Sequence, residues 1–382
     1  MSDLPRYGGP LDAEAVRRVA GHPEQVAGAE LLRREDGSER GVRIVRLRSG
    51  EVDCDVVVDR ALDNGAAAVR GVPVAWLSPT GLAGPWFAEP QGLGTFRTFF
   101  GGLLTTCGLE HTLGPTTDDV SHFDYPGKAS EAFPLHGRLS TTPATLRGYG
   151  LDLEADVPFV FVEGEVRQAT VFGEHLVLRR RIELDVGGRT LRLTDRVTNA
   201  GYAPTPHMVL YHVNAGWPVV APGARVHVGG AGDPRVTTPA AEGVDWRTID
   251  APRPGAVEQV WEHTPQAGPD GRVRAAVLNP DLGDGRAAGV EVAYDPATLP
   301  RLFQWRVMAE GHYVVGLEPG NLRIEGRQAA REAGDLVVLA PGEAVTHRLD
   351  LRLLHGPEDV EHAAQAFASS DDQRSDARFA PR

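Results

Sequence analysis

Short segments in which apolar residues alternate with polar ones, or run together for several positions, recur along most of the chain. A side-chain period of two is typical of β-strands, because successive residues of a strand point to opposite faces of a sheet. The pattern predicts strands at residues 42–48, 52–58, 159–166, 176–186, 190–199, 208–214, 273–279, 290–294, 302–308, 313–317, 336–339 and 345–354. The 45 glycines and 29 prolines are spread between these segments, as in chains of many short strands joined by turns. We therefore predict an all-β protein of two packed antiparallel sheets.

Helical periodicity is confined to the two ends of the chain. Residues 12–19 have acidic residues in their first turn, and residues 357–366 predict a final helix with Glu358 and Asp359 near its start. The polar stretch after Ser369 predicts a flexible tail over residues 369–382. We therefore expect one domain over residues 1–368 with few short helices, in which residues 1–40 supply an N-terminal helix and a lead-in strand.

The amino-acid composition excludes several classes of enzyme. Only one of the 39 basic residues, Lys128, is a lysine, and it follows a sequence typical of an exposed turn. Schiff-base enzymes, pyridoxal phosphate enzymes and phosphate-binding P-loops each need a placed lysine, and the P-loop motif is missing. None of the four Glu-His pairs extends to the H-E-x-x-H motif of metalloproteases. We expect neither a metal nor another cofactor.

The net charge of −13 argues against nucleic acid as a partner, because affinity for nucleic acid comes mainly from cationic neutralisation of phosphates. No apolar run approaches the ~18 residues of a membrane span. The first residues have neither a basic stretch nor an apolar core, so we expect no signal peptide and no membrane association. Cys54 and Cys107 cannot form a disulfide framework by themselves. A cytoplasmic protein, monomeric or homodimeric, is the expectation.

Two histidines lie five residues apart in an apolar strand pattern, His207 and His212. Because side chains alternate along a strand, these two face opposite sides, whereas Leu210, His212 and Asn214 share one face. A shared metal ion is therefore not expected. His212 is a candidate acid or base that projects from a sheet face into a cleft. The alternative is a hydrogen-bonded histidine of the core.

A carboxylate closes the otherwise apolar segment at residues 313–318. Glu318 stands before a Pro-Gly turn at the mouth of this strand, where partial desolvation raises the pKa of a carboxyl group toward useful base strength. Because a lone buried carboxylate is costly, function is a fair inference. The alternative is an ion pair between Glu318 and Arg323 or Arg327.

Two further segments offer groups that suit a polar ligand. In residues 135–138, His136 and Arg138 flank a glycine, which lets backbone approach a ligand and leaves donors for hydroxyl groups. In residues 96–108, Arg97 lies among aromatic residues before a glycine pair. The alternatives are a loop without a ligand for the first segment and simple stacking on aromatic rings for the second.

Taken in order, these segments resemble the aldose 1-epimerase (galactose mutarotase-like) superfamily, and within it a bacterial branch of aldose 1-epimerase-like proteins. Residues 57–63 resemble the "dRglD" segment of that branch, and residues 101–104 its "GGLL" segment. Residues 135–138 resemble the His-Gly loop of the superfamily. The match continues with residues 195–199 and 206–217, which resemble the strands before and around the acid histidine, and with residues 317–319, which resemble the strand of the base glutamate.

The resemblance implies a large β-supersandwich with a sugar-binding cleft on one sheet face. It also implies a mechanism in which a glutamate removes the anomeric hydroxyl proton and a histidine protonates the ring oxygen. Carried onto this chain, Glu318 is the base and His212 the acid, while His136 and Arg97 orient sugar hydroxyls. The further candidates for substrate binding are Asn214, Arg138, Trp217 and Trp305. For the tryptophans, core packing is the alternative to stacking on a sugar.

The leading hypothesis is therefore a carbohydrate epimerase that interconverts the anomers of a free sugar or sugar derivative at C1. The first alternative is a carbohydrate-binding or sensing module that keeps the cleft without the chemistry, since a fold alone does not carry function. This alternative is favoured if Glu318 and His212 lie more than about 8 Å apart or face opposite sides, because acid-base work on one ring is then excluded. The second alternative is another reaction on the same scaffold, such as isomerisation or elimination on an oxidised sugar.

Overall fold

The structure is a computed structural model that describes residues 11–123, 127–283 and 285–377, with only the backbone of residues 369–377. The strands are β1 (Gly28–Arg33), β2 (Arg43–Arg48), β3 (Val52–Val57), β4 (Asp63–Val69), β5 (Val72–Pro73), β6 (Leu104–Leu109), β7 (Thr116–Asp119), β8 (Ser130–Phe133), β9 (Thr145–Asp152), β10 (Phe159–Ala169), β11 (His175–Asp185), β12 (Thr190–Asn199), β13 (Thr205–Pro206), β14 (Met208–Ala215), β15 (Arg225–Val228), β16 (Arg235–Val236), β17 (Gln259–His263), β18 (Val273–Asn279), β19 (Ala288–Tyr294), β20 (Arg301–Ala309), β21 (His312–Gly320), β22 (Val338–Leu339) and β23 (Ala344–His355).

The helices of the described residues are short except for the last. They are α1 (Ala13–Val19), α2 (Arg327–Glu332) and α3 (Pro357–Ala377), together with single 3-10 turns at Pro23–Gln25, Gly37–Glu39, Pro85–Phe87, Gly94–Arg97, Leu139–Thr141 and Pro239–Ala241. The predicted N-terminal helix begins where the sequence places it, because the Asp12 side chain caps α1 by accepting from the backbone N–H of Ala15.

Two large antiparallel sheets form the sandwich. The larger has eleven strands in the order β1-β2-β3-β4-β6-β14-β21-β20-β17-β16, with β5 paired to β4. The smaller has eight strands in the order β15-β18-β19-β23-β12-β11-β10-β9. Buried aliphatic and aromatic side chains from both sheets form one continuous core between them. The predicted all-β architecture of two packed antiparallel sheets is thus confirmed.

Strand bounds follow the alternation closely where one face is buried. β12 and β18 have the predicted bounds, and the others differ from the prediction by a few residues at their ends. Gly187 and Gly188 lie in the connection between β11 and β12, which is longer than a two-residue hairpin loop. β11 ends at Asp185 and β12 begins at Thr190, and only Gly187 of the pair has a positive φ, of 73°.

A cluster of buried charges joins the two sheets. Arg180 of β11 donates to both carboxylate oxygens of Asp195 (2.8 and 2.6 Å), to Asp63 of β4 (2.9 Å) and to the hydroxyl of Thr106 of β6 (2.8 Å). Tyr211 of β14 donates to Asp195 at 2.8 Å. The Arg180 side chain is fully buried, so these carboxylates supply the charge and the acceptors that its burial requires. The cluster fixes β14 from its inner side.

The C-terminal helix closes one end of the sandwich. Val360, Ala363 and Phe367 of α3 pack against Leu278 and Leu354 of the smaller sheet. The helix continues to Ala377, past residue 369, where the sequence predicts that a flexible tail begins. Residues 378–382 lie outside the described residues, as do residues 1–10 of the predicted N-terminal segment.

Candidate active site

The central strand β14 has different chemistry on its two faces. Val209, Tyr211 and Val213 point into the core between the sheets, so His212 and Asn214 point to the outer face of the larger sheet. His207, just before the strand, faces the core side and its Nε2 lies 3.0 Å from Nε2 of His347 on the smaller sheet. The two histidines therefore face opposite sides, as the sequence predicts.

The pairing of β14 with β21 places His212 opposite Glu318. The antiparallel register pairs Val213 with Leu317 and Leu210 with Gly320, which sets residue 212 against residue 318 on the same face. Nε2 of His212 lies 3.1 Å from Oε1 of Glu318, and both side chains are buried. The approach is close but lacks hydrogen-bond geometry, so Oε1 is a buried oxygen without a hydrogen bond among the described residues.

A glycine makes the space for this pair. Gly316 precedes Glu318 by two residues on β21 and shares its face of the sheet. A Cβ atom at residue 316 would lie 2.7 Å from Oε1 of Glu318 and 3.2 Å from Cε1 of His212. Any larger residue would displace the carboxylate from its position beside the imidazole.

Aromatic rings surround His212 on the outer face. The ring of Trp305, on β20, lies edge-on at 5.2 Å between centroids, and that of Phe99 lies at 5.4 Å. Trp76 contacts both, with centroid distances of 6.2 Å to Trp305 and 6.3 Å to Phe99. All three rings are only partly buried, so the pair lies at the floor of a recess with aromatic walls. Such walls suit the apolar face of a sugar ring.

Burial shifts the pKa values of Glu318 and His212 in opposite directions. Desolvation, with a smaller contribution from the nearby charge of Glu258, raises the pKa of Glu318 to about 8. Desolvation lowers the pKa of His212 to about 4, and the hydrogen bond with Asn214 opposes that shift only in part. Between these values the pair holds one proton. The rise of one pKa and the fall of the other have a common cause, because burial disfavours the charged form of each group.

His136 reaches the same recess from a loop. Its backbone has a positive φ of 61°, and that of Gly137 is 73°. A Cβ at residue 137 would lie 2.3 Å from the carbonyl oxygen of His111, so this tight turn requires glycine. The turn brings the His136 ring to 6.1 Å from the His212 ring, and Nδ1 of His136 is buried without a hydrogen-bond partner among the described residues. Burial lowers the pKa of His136 to about 3, so the ring is neutral.

Two of the predicted binding residues pair with other side chains in the structure. Arg97 is 74% exposed and lies 3.3 Å from Glu89, and no described contact joins it to His212 or Glu318. Arg138 donates to Glu110 at 2.7 Å and to Glu131 at 2.9 Å. Their contact with a substrate stays a prediction.

Of the remaining predicted binding residues, only Trp305 borders the recess around His212. Trp305 forms a wall of the recess, whereas Trp217 is 69% exposed and has no described contact with His212. Asn214 is fully buried behind His212, and its amide makes its hydrogen bonds within the protein. That surrounding fits a residue that positions His212 and not one that contacts a sugar.

The ion-pair alternative for Glu318 is not realised. Arg323 pairs with Asp335, and Arg327 donates to Asp118 at 2.5 Å, so both arginines have other partners. The sequence gives little indication of Trp76 and Gly316, because an isolated tryptophan and a strand glycine each have many structural explanations.

Within the described residues, no three His, Cys, Asp or Glu side chains are arranged to hold a metal ion. No helix among them is long and apolar enough to cross a membrane.

The sandwich of two antiparallel sheets has the galactose mutarotase-like fold. The fold that the resemblance implies is confirmed. At the level of sequence, the chain belongs to the family described as Domain of unknown function (DUF4432), whose model matches residues 39–353. No curated protein matches the chain.

Several solved structures share the fold. A protein from Klebsiella pneumoniae that was provisionally assigned as an aldose 1-epimerase superimposes with a TM-score of 0.81 at 23% identity, over 95% of this chain and 92% of that one. A galactose mutarotase-like protein from Clostridium acetobutylicum gives 0.59 at 14% identity, over 85% and 98%. The galactose 1-epimerase from Lactobacillus acidophilus gives 0.54 at 12% identity, over 86% and 99%. At such identities these similarities establish the fold, and the chemistry rests on the residues of this chain.

Proposed function

We propose that the protein is a carbohydrate epimerase that interconverts the anomers of a free sugar by acid-base opening of the ring. The observation that carries this proposal is the 3.1 Å approach of His212 Nε2 to Glu318 Oε1 in a recess with aromatic walls. The reaction requires one acid and one base within reach of the same sugar ring, and these two groups meet that requirement. A separation above about 8 Å favours the binding-only alternative, and His212 and Glu318 lie much closer than that.

In the proposed reaction the carboxylate of Glu318 takes the proton from the anomeric hydroxyl, and protonated His212 donates the proton on Nε2 to the ring oxygen. The bond between C1 and the ring oxygen breaks, and the anomeric carbon becomes an aldehyde. Rotation about the C1–C2 bond turns the other face of the aldehyde toward the ring hydroxyl. Reversal of the two proton transfers closes the ring as the opposite anomer, and no atom is gained or lost.

The protonation of the pair supports a cycle of this kind. A single proton serves both half-reactions, because it lies on His212 when the closed ring is bound and on Glu318 when the ring is open. The raised pKa of Glu318 and the lowered pKa of His212 favour the proton on Glu318 in the unliganded protein. A sugar hydroxyl that donates to the unpartnered Oε1 would stabilise the carboxylate and shift the proton toward His212.

Neutral sugars are the expected substrates. Glu258 lies beside the recess, where its carboxylate accepts from Trp305 Nε1 at 3.1 Å, and the net charge of the chain is −13. Both charges oppose the binding of a phosphorylated sugar. In the proposed complex Trp305 stacks on the sugar and His136 binds a hydroxyl. Contacts of Arg97, Arg138 and Trp217 with the substrate stay predictions.

The test is saturation-transfer NMR of anomer exchange with a panel of neutral aldoses. We expect faster exchange for at least one sugar, and a loss of about 10²-fold or more in Glu318→Gln and in His212→Gln. Matched controls are Glu165→Gln, which changes a buried glutamate of the smaller sheet, and His227→Gln, and both should retain activity. Full activity in Glu318→Gln contradicts the mechanism. Binding of sugars without exchange in the unaltered protein would favour the carbohydrate-binding alternative.

A further inference from the structure

The side chain of Asn214 has only one possible orientation. It lies two residues beyond His212 on the same face of β14 and is fully buried. One end of its amide is 3.1 Å from the carbonyl oxygen of Gly102 and 3.0 Å from that of His212. Carbonyl oxygens only accept hydrogen bonds, so this end must be the NH2 group. The amide oxygen therefore faces Nδ1 of His212, at 2.5 Å.

We infer that Asn214 is a positioning residue that holds His212 in the tautomer with its proton on Nδ1. An amide oxygen cannot donate, so the short contact requires an N–H at Nδ1. The neutral ring then has its lone pair on Nε2, the nitrogen that faces Glu318. Nε2 is thus the nitrogen that exchanges protons. Its use in catalysis rests on the proposed function, whereas the tautomer does not.

The backbone of Asn214 also forms hydrogen bonds with two other segments of the recess. Its backbone N–H donates to the carbonyl of Leu103 at 3.0 Å, and its carbonyl accepts from the N–H of Trp76 at 3.1 Å. The Gly102 carbonyl reaches the amide because Gly102 has a φ of 81° and packs tightly against the chain. A Cβ there would lie 2.3 Å from the carbonyl oxygen of Asn64. Gly102 therefore supports His212 through Asn214.

The tautomer can be measured directly by 15N NMR of protein labelled at its histidines, with His212→Gln used to assign the signals of His212. In the unaltered protein at pH 7 we expect a protonated Nδ1 and an unprotonated Nε2. In Asn214→Leu, which removes the acceptor at similar volume, we expect a marked loss of the Nδ1–H form. Asn214→Asp keeps an oxygen toward Nδ1 and, as the neutral acid, a donor toward the two carbonyls, so it should keep the tautomer. A proton on Nε2 in the unaltered protein, or an unchanged tautomer in Asn214→Leu, overturns the inference.

Kinetics separate a positioning role from a structural one. We expect kcat to fall about 10- to 100-fold in Asn214→Leu, with KM changed much less, and to be partly restored in Asn214→Asp. The matched control is Asn199→Leu, which removes a buried asparagine of the smaller sheet with comparable internal hydrogen bonds. It should lower the melting temperature without changing the tautomer. If the unaltered protein turns over no sugar, the proposed function fails, and the NMR result still decides the role of Asn214.

Discussion

Gly316 lies directly beside the carboxylate of Glu318, at a distance that leaves no room for a side chain. A Cβ at residue 316 would lie 2.7 Å from Oε1, and that oxygen is the flexible end of a side chain, so it can move where backbone could not. In Gly316→Ala we expect the carboxylate to move away from His212 while the fold persists, since alanine suits a strand at least as well as glycine.

The measurement for Gly316→Ala combines activity with stability. Anomer exchange should fall about 10-fold or more, since small displacements of a reacting group are costly, while the free energy of unfolding stays within about 1 kcal/mol. Gly150→Ala is the control, because a Cβ at that strand position meets only ordinary contacts of 3.6 Å or more. Equal losses of activity in both variants, or a Gly316→Ala protein with full activity, would argue against a fixed carboxylate position.

Glu258 is expected to tune the pKa of Glu318. Its negative charge adds to the effect of burial, and both raise that pKa. Glu258→Gln removes the charge and keeps an oxygen that can accept from Trp305 Nε1. The pKa of Glu318 should therefore fall, and the alkaline limb of the profile of kcat/KM against pH should move to lower pH. Glu154→Gln, at an exposed glutamate near the smaller sheet, should leave the profile in place. A shift to higher pH in Glu258→Gln would contradict this electrostatic account.

Local patterns could predict the strands but not the contacts between distant segments. β12 has the predicted bounds because its buried residues alternate strictly with partly or fully exposed ones. Alternation of the same kind correctly places His207 and His212 on opposite faces. The approach of Glu318 to His212 depends on the pairing of β14 with β21, which is a property of the whole sheet. The sequence identifies both residues as candidates, and the register brings them together.

The role of Asn214 likewise depends on contacts between segments that are distant in sequence. Its position on the face of His212 follows from strand alternation, and that position predicts a contact with the substrate. The partner that orients its amide is Gly102, which is 112 residues away in sequence. Trp76 likewise joins the recess through two isolated bridges on either side of it, Ala75 with Ala215 and Leu77 with Gly101. Periodicity contains no information about such contacts.

The buried Arg180 is expected to be essential for stability. Arg180→Met would leave Asp63 and Asp195 buried without their cation, and removal of one partner from a buried ion pair costs about 3–5 kcal/mol. Its neighbour Arg179 is 73% exposed, so Arg179→Met provides a matched control that should change stability by less than about 1 kcal/mol. Denaturant unfolding of both variants measures the difference. Similar stabilities for the two would contradict a structural role of the cluster between the sheets.

Seven histidines with a pKa lowered to about 3 or 4 by burial should make the fold sensitive to acid: His111, His136, His207, His212, His227, His263 and His347. Their unfolded forms bind protons near the ordinary pKa of about 6.5, before the folded forms do, so stability falls as the pH decreases below that value. The raised pKa values of Glu110 and Glu318 act in the opposite direction, but the histidines are more numerous.

A single substitution tests this dependence on pH. Among the described residues, His263 forms a hydrogen bond only with Gln304, and it is buried against Trp246, away from the proposed reaction. In His263→Gln the free energy of unfolding should fall less steeply between pH 6.5 and 5, by up to about 1.4 kcal/mol for each pH unit, because one proton fewer is taken up on unfolding. His22→Gln changes an exposed histidine and should leave the slope as it is. Urea unfolding at several pH values measures both slopes, and identical slopes in the two variants would contradict the assignment of a neutral, buried His263.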